Sequence, residues 1–115
     1  MATLKLKLQI FAGDEIAMGP GKAALIEAID AHGSISAAAR AMGMSYRRAW
    51  LLVATLNRCF LQPVVETVPG GGTRVTEEGK AMLEAYRRLV ARTAALADDP
   101  DYRRIAEAAR EPVTR

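Results

Sequence analysis

One cysteine and one histidine leave this chain little reactive chemistry. With Cys59 alone, no intrachain disulfide forms and no cysteine-based zinc cage is possible. His32 stands at a helix end and reads as a helix-terminal cation rather than a base or ligand. No second titratable partner accompanies either residue, so nucleophilic and acid–base catalysis find no support and an enzyme is not expected. No apolar run approaches the roughly 20 residues that span a bilayer, and MATLKLKLQIF alternates Leu with Lys where a signal peptide would be solidly apolar. A cytoplasmic protein without membrane contact is expected. Neither GPGK at 19–22 nor PGGGTR at 69–74 continues into the Gly-Lys-Ser or Gly-Lys-Thr of a phosphate-binding P-loop. No cofactor or metal is expected.

A last scarcity is local. From Ala31 to Val65 there is no Asp or Glu, while Arg40, Arg47, Arg48 and Arg58 all fall inside that window. The net charge of +3 is modest, but the middle of the chain is basic. At 115 residues, half of them apolar, the sequence suits one domain with its own core.

What is present falls into a definite order of elements. Residues 3–11, TLKLKLQIF, alternate with period two and predict a half-buried strand, followed by turn residues GDE. Pro20 opens a helix carrying Lys22, Leu25, Ile26 and Ile29, which ends at His32 and Gly33. Ser34 or Ser36 caps a short helix rich in alanine, which stops at Gly43. Ser45 caps a third helix, from about Tyr46 to Phe60, with Ala49, Val53, Leu56 and Phe60 on one face; Pro63 prevents its continuation. VVETV, PGGG and TRV then read as strand, glycine turn and strand. Thr76 with Glu77 and Glu78 starts a long helix in which Met82, Tyr86, Leu89, Thr93 and Leu96 repeat at spacings of four and three, the seam of a dimer.

A helix-turn-helix needs a small residue where its helices cross, a glycine at the turn, and an apolar residue in the second helix to lock the angle. Ala39, Gly43 and Ala49 have that spacing. The second helix then presents Ser45, Tyr46, Arg47, Arg48 and Leu51 near its N-terminus, the end that enters the major groove in the DNA-reading version of the motif. A tight helical hairpin with solvated arginines fits this stretch equally well. A two-stranded ribbon directly after it is the winged-helix order, and it shifts the balance towards DNA: Arg74, and Thr73 beside it, would hold phosphates from the wing. Trp50 is expected to be a core or shoulder residue, and Cys59 a small core residue.

The run GSISAAARAMGMSYRRAW, with LNRC after it and GGGTRVTEEGKAMLEAYRRL further on, resembles the DNA-binding domain of ModE-type, molybdate-responsive transcription regulators. More distantly it resembles the LysR-type winged helix. The similarity covers residues 3–97. It implies a homodimer on a palindromic operator, with the third helix in the major groove. ModE-type proteins continue into a molybdate-binding module, whereas this sequence ends after a short tail. The reading is therefore a regulator without that module, which binds its operator constitutively or is controlled through a separate protein or its cellular level.

The expected architecture is α+β: a winged helix-turn-helix over residues 1–97, including a dimer helix at about 76–97, and a peripheral tail at 98–115 with at most a short helix near 101–110. The dimer interface is expected from Met82, Tyr86, Leu89 and Leu96. The rival reading is a winged helix that docks other proteins without touching DNA.

Overall fold

The structure is a computed structural model describing residues 2–113; Met1 and the last two residues of the expected tail, Thr114 and Arg115, lie outside the described residues. The chain begins with a hairpin, β1 (Ile10–Ala12) and β2 (Glu15–Met18). Helices α1 (Pro20–His32), α2 (Ile35–Met42) and α3 (Tyr46–Cys59) follow. A second hairpin, β3 (Val65–Thr67) and β4 (Thr73–Val75), leads into α4 (Glu77–Thr93), a 3₁₀ turn (Ala94–Asp98) and α5 (Pro100–Ala108). Both hairpins are antiparallel and form separate two-stranded sheets.

The helix boundaries follow from local chemistry. Pro20 occupies the first turn of α1, and Gly33 closes it at φ 75°, its N–H donating to the Ile29 carbonyl. Ser34 caps α2 through its hydroxyl, which accepts the Ala37 N–H at 3.0 Å; Ser36 takes no part in this cap. Gly43 at φ 68° turns the chain, and the Met44 N–H returns to the Ala39 carbonyl at 3.0 Å. Ser45 accepts the Arg48 N–H at 3.1 Å, and Thr76 accepts the Gly79 N–H at 2.9 Å. The unusually short connection between α2 and α3 is thus a glycine stop joined directly to a serine start.

Leu25, Ile26 and Ile29 from α1, Leu56 from α3 and Val64 before β3 are the largest fully buried side chains. Burying each of these contributes about 1.5–3 kcal/mol. Ala39 and Ala49 are also buried, at the crossing of α2 and α3. Gly79 brings α4 against the Val64 carbonyl: a Cβ there would lie 2.3 Å from that oxygen.

The N-terminal strand is shorter and later than the alternation predicts. Residues 3–9 form no ladder, because the partner of β1 is β2, which includes the Glu15 assigned to the turn. The segment instead lies over α1 and α4, where the Leu8 carbonyl accepts the Tyr86 hydroxyl at 2.9 Å. Cys59 is half-buried rather than in the core, and its thiol donates to Glu15 at 3.4 Å.

The body does not enclose the C-terminal part. The radius of gyration is 17.8 Å and the extents are 58 × 34 × 27 Å, whereas a compact chain of this length would have a radius near 13 Å. The difference comes from α4 continuing through the 3₁₀ turn into α5, which packs chiefly on that turn.

Candidate nucleic-acid interface

Helix α3 is held by its inner face and free on its outer one. Ala49, Val53 and Leu56 are buried, which directs Arg47, Leu51, Ala54 and Arg58 to the opposite side of a 3.6-residue helix. Tyr46 is 53% exposed, Leu51 48% and Trp50 50%, and Ser45, Arg47 and Arg48 are exposed beside them. The structure therefore brings together at one helix start five of the residues singled out from sequence. Trp50 belongs to the shoulder of α3, where it lines a cleft with Ile35, Ala54 and Thr67 towards the wing.

The arginines divide into paired and unpaired ones. Arg58 is bound to Glu15, Arg74 to Glu66, Arg87 to Glu27 and Arg103 to Asp98. Among the described residues, Arg40, Arg47 and Arg48 form no ion pair. Three unneutralised arginines on α2 and the start of α3, with the α3 N-terminal dipole beneath two of them, suit this surface to a polyanion.

Arg58 shows where the sequence reading falls short. It stands in the acid-free window, yet Glu15 from the first hairpin accepts its Nη2 through both carboxylate oxygens, at 2.7 and 2.8 Å. The Arg58 hydrogen bond, with a further one from Cys59, holds the Glu15 carboxyl below the usual glutamate range. Burial, and then the hydrogen bond to Glu15, push the Cys59 thiol up, which disfavours the thiolate.

The wing is tied at its root and open at its tip. The Asn57 side chain accepts the Val64 and Val65 N–H groups at 2.9 and 3.1 Å and donates to the Val65 carbonyl at 2.9 Å, fastening α3 to β3. The Thr73 N–H donates to the Gly33 carbonyl at 2.8 Å, fastening β4 to the turn between α1 and α2. At the tip, Gly70, Gly71 and Gly72 all have φ between 88° and 104°, which side chains rarely adopt, and the space around Gly70 and Gly71 is open. Backbone can therefore approach a ligand there. Thr73 is buried, 9% exposed, while Arg74 faces outward with its guanidinium 2.7 Å from Glu66, its partner across the ladder. Sequence reasoning passed over Asn57 and Glu66; the polar residue facing the strand start and the carboxylate opposite Arg74 in the ribbon register were their signals.

The helical seam divides in two. Tyr86 is buried in the protomer's own core with its hydroxyl on Leu8, and burial raises the phenol pKa. Met82 packs against the same core, whereas Leu89 is 36% and Leu96 46% exposed. Tyr86 thus belongs to intrachain packing, because its turn of α4 faces α1 and the N-terminal segment.

Residues 22–80 match the model of the bacterial regulatory helix-turn-helix proteins of the lysR family. Among curated relatives, the chain is 48% identical over 76 residues to the molybdenum-pterin-binding protein MopA of Rhodobacter capsulatus, covering 63% of this chain and 29% of MopA. It is 31% identical over 93 residues to the DNA-binding transcriptional dual regulator ModE of Escherichia coli K12, covering 77% of this chain and 33% of ModE. The chain therefore spans about a third or less of these relatives. In fold it is similar to VV2_1132, a LysR family transcriptional regulator, with a TM-score of 0.55 at 16% identity, covering 69% of this chain and 27% of that one.

Proposed function

Because this chain belongs to the lysR family of bacterial regulatory helix-turn-helix proteins, with the ModE-type resemblance borne out by its relatives, we propose that it binds duplex DNA sequence-specifically as a homodimer and regulates transcription. The observation that carries this reading is the unpaired trio Arg40, Arg47 and Arg48 around an exposed helix start. The start of α3 enters the major groove, where Arg47 or Arg48 matches the O6 and N7 acceptors of guanine and Leu51 meets apolar base edges. Ser45 and Tyr46 contact the backbone or base edges, and Arg74 with the glycine backbone of the wing holds phosphates; Thr73, being buried, supports the wing from within. A two-fold dimer would face a palindromic site.

Fluorescence anisotropy with labelled duplex at 50 and 200 mM salt tests the proposal. A dimer contacting about 6–10 phosphates is expected to lose roughly 10³–10⁵ in affinity over that range. A module that only docks proteins would bind duplex at neither concentration. Selection from random duplex would then reveal the half-site and its symmetry.

A further inference from the structure

Trp50 is the only tryptophan of the chain, and half of it lies in solvent. Counting about 100° per residue around α3, it stands a quarter turn from the buried stripe of Ala49, Val53 and Leu56, while Arg47 and Leu51 lie nearly opposite that stripe. Tyr46, one turn earlier, and Asn57, two turns later, share its side of the helix. Asn57 fastens α3 to β3, so this side faces the wing. Trp50 lines a cleft of about 250 Å³ between α3 and the wing, with Ile35 and Ala54 beside it and Thr67 from the ribbon across it. Glu66, the carboxylate on this cleft, is held by Arg74. The indole N–H has no hydrogen-bond partner among the described residues. A tryptophan that served only to seal the shoulder would have its ring covered and its N–H satisfied.

We propose that this cleft seats the phosphodiester chain that separates the two grooves of the duplex, with Trp50 as its floor: the indole face packs on deoxyribose and the N–H donates to a phosphate oxygen. The proposal rests on the DNA reading above and adds a contact to it. With Arg47 and Leu51 in the major groove and the glycine tip of the wing reaching past its edge, the DNA backbone at that edge has to cross the space between α3 and the ribbon. Tryptophan suits that place because it joins a broad apolar face to a single donor, matching a sugar followed by a phosphate. Thr67 adds a hydroxyl on the opposite wall. Neither group distinguishes one base from another, so the contact fixes how deeply α3 sits and not which sequence it reads.

The single tryptophan makes the cleft directly observable. Titrating the full chain with a duplex selected from a random pool, and with a scrambled one, is expected to shift the tryptophan emission to the blue and reduce its quenching by acrylamide, with the midpoint that anisotropy gives. Trp50→Phe keeps a ring and removes the donor. It is expected to raise the dissociation constant roughly tenfold for both duplexes, the worth of a hydrogen bond to a charged group. The slope of log affinity against log salt is expected to stay as in wild type, because no cation is lost. Far-UV circular dichroism controls for folding, and the wild-type emission decides even where the variant unfolds. Binding by anisotropy with emission and acrylamide quenching unchanged overturns the role of Trp50 and leaves the DNA reading standing. A loss in Trp50→Phe confined to the selected duplex overturns it too, since Trp50 then reads a base. No anisotropy change with either duplex overturns the DNA reading itself.

Discussion

Gly79 and the Val64 carbonyl are in backbone contact: a methyl group on Gly79 would sit 2.3 Å from that oxygen and 2.9 Å from a methyl of Val75. Helix propensity alone favours Gly79→Ala by about 1 kcal/mol. The overlap with backbone outweighs it, since a crowded core site costs about 1–3 kcal/mol and a carbonyl yields less than a side chain. Gly79→Ala is therefore expected to destabilise the fold and lower the melting temperature. Thermal unfolding by circular dichroism checks it; a raised melting temperature would show that α4 moves freely off β3.

Asn57 is expected to matter to the wing more than its exposure suggests. Its side chain is the acceptor for two N–H groups of buried valines, Val64 and Val65. Asn57→Ala should cost about 1–3 kcal/mol in urea unfolding, the usual cost of stranding such groups. Asn57→Asp keeps the acceptor but sets a carboxylate oxygen against the Val65 carbonyl in place of the donor, so it should recover only part of that cost.

Glu66 is expected to restrain DNA binding. It holds the Arg74 guanidinium at 2.7 Å, so Glu66→Gln would free a cation for phosphate. Affinity should rise for all sequences alike, and the plot of log affinity against log salt should steepen by about one unit. Arg74→Ala should weaken all sequences alike, while Arg47→Ala or Arg48→Ala should cost about 1–3 kcal/mol and relax preference at particular bases. Anisotropy titrations against cognate and scrambled duplex separate these outcomes.

The pairing of Glu15 with Arg58 has a definite pH signature. Its folded carboxyl titrates below the usual glutamate range, chiefly through Arg58, so its stabilisation is present above that range and is lost as pH falls through the folded value. Glu15→Gln should melt slightly earlier than wild type near neutral pH, and the gap should close as pH falls through the folded value of the carboxyl. A gap that widened in acid would reverse the sign argued for the carboxylate.

Molybdate is not expected to bind these 115 residues selectively. A dehydrated oxyanion needs several converging donors in a rigid pocket, whereas the wing offers an open glycine tip and an arginine already shared with Glu66. Isothermal titration should show no saturable site that survives excess sulfate.

Helix starts and stops were legible because they depend on one or two residues each: Ser34, Gly43, Ser45 and Thr76 act on their own turns. The first hairpin was legible in principle, since Gly13 and Asp14 separate IFA from EIAM, but the louder Leu–Lys alternation upstream masked it. That alternation predicts a strand only when an edge is there to pair with, and residues 3–9 have α1 and α4 beside them instead. Long-range pairing was not legible at all. A sequence separation of 43 between Glu15 and Arg58 hides the neutralisation of an apparently free cation, and one of 78 between Leu8 and Tyr86 hides the contact that turns a seam residue inward.

The anchoring of the wing at Gly33 and Asn57 makes the distance between α3 and the ribbon a property of the core, not of the loop that joins the strands. Lengthening or shortening the glycine tip would change how far it reaches along the duplex without disturbing the register of α3. On the proposed function, such a domain can diverge in its grip on the sugar–phosphate chain independently of the base sequence it reads, and its tip is the natural place for a graft or label.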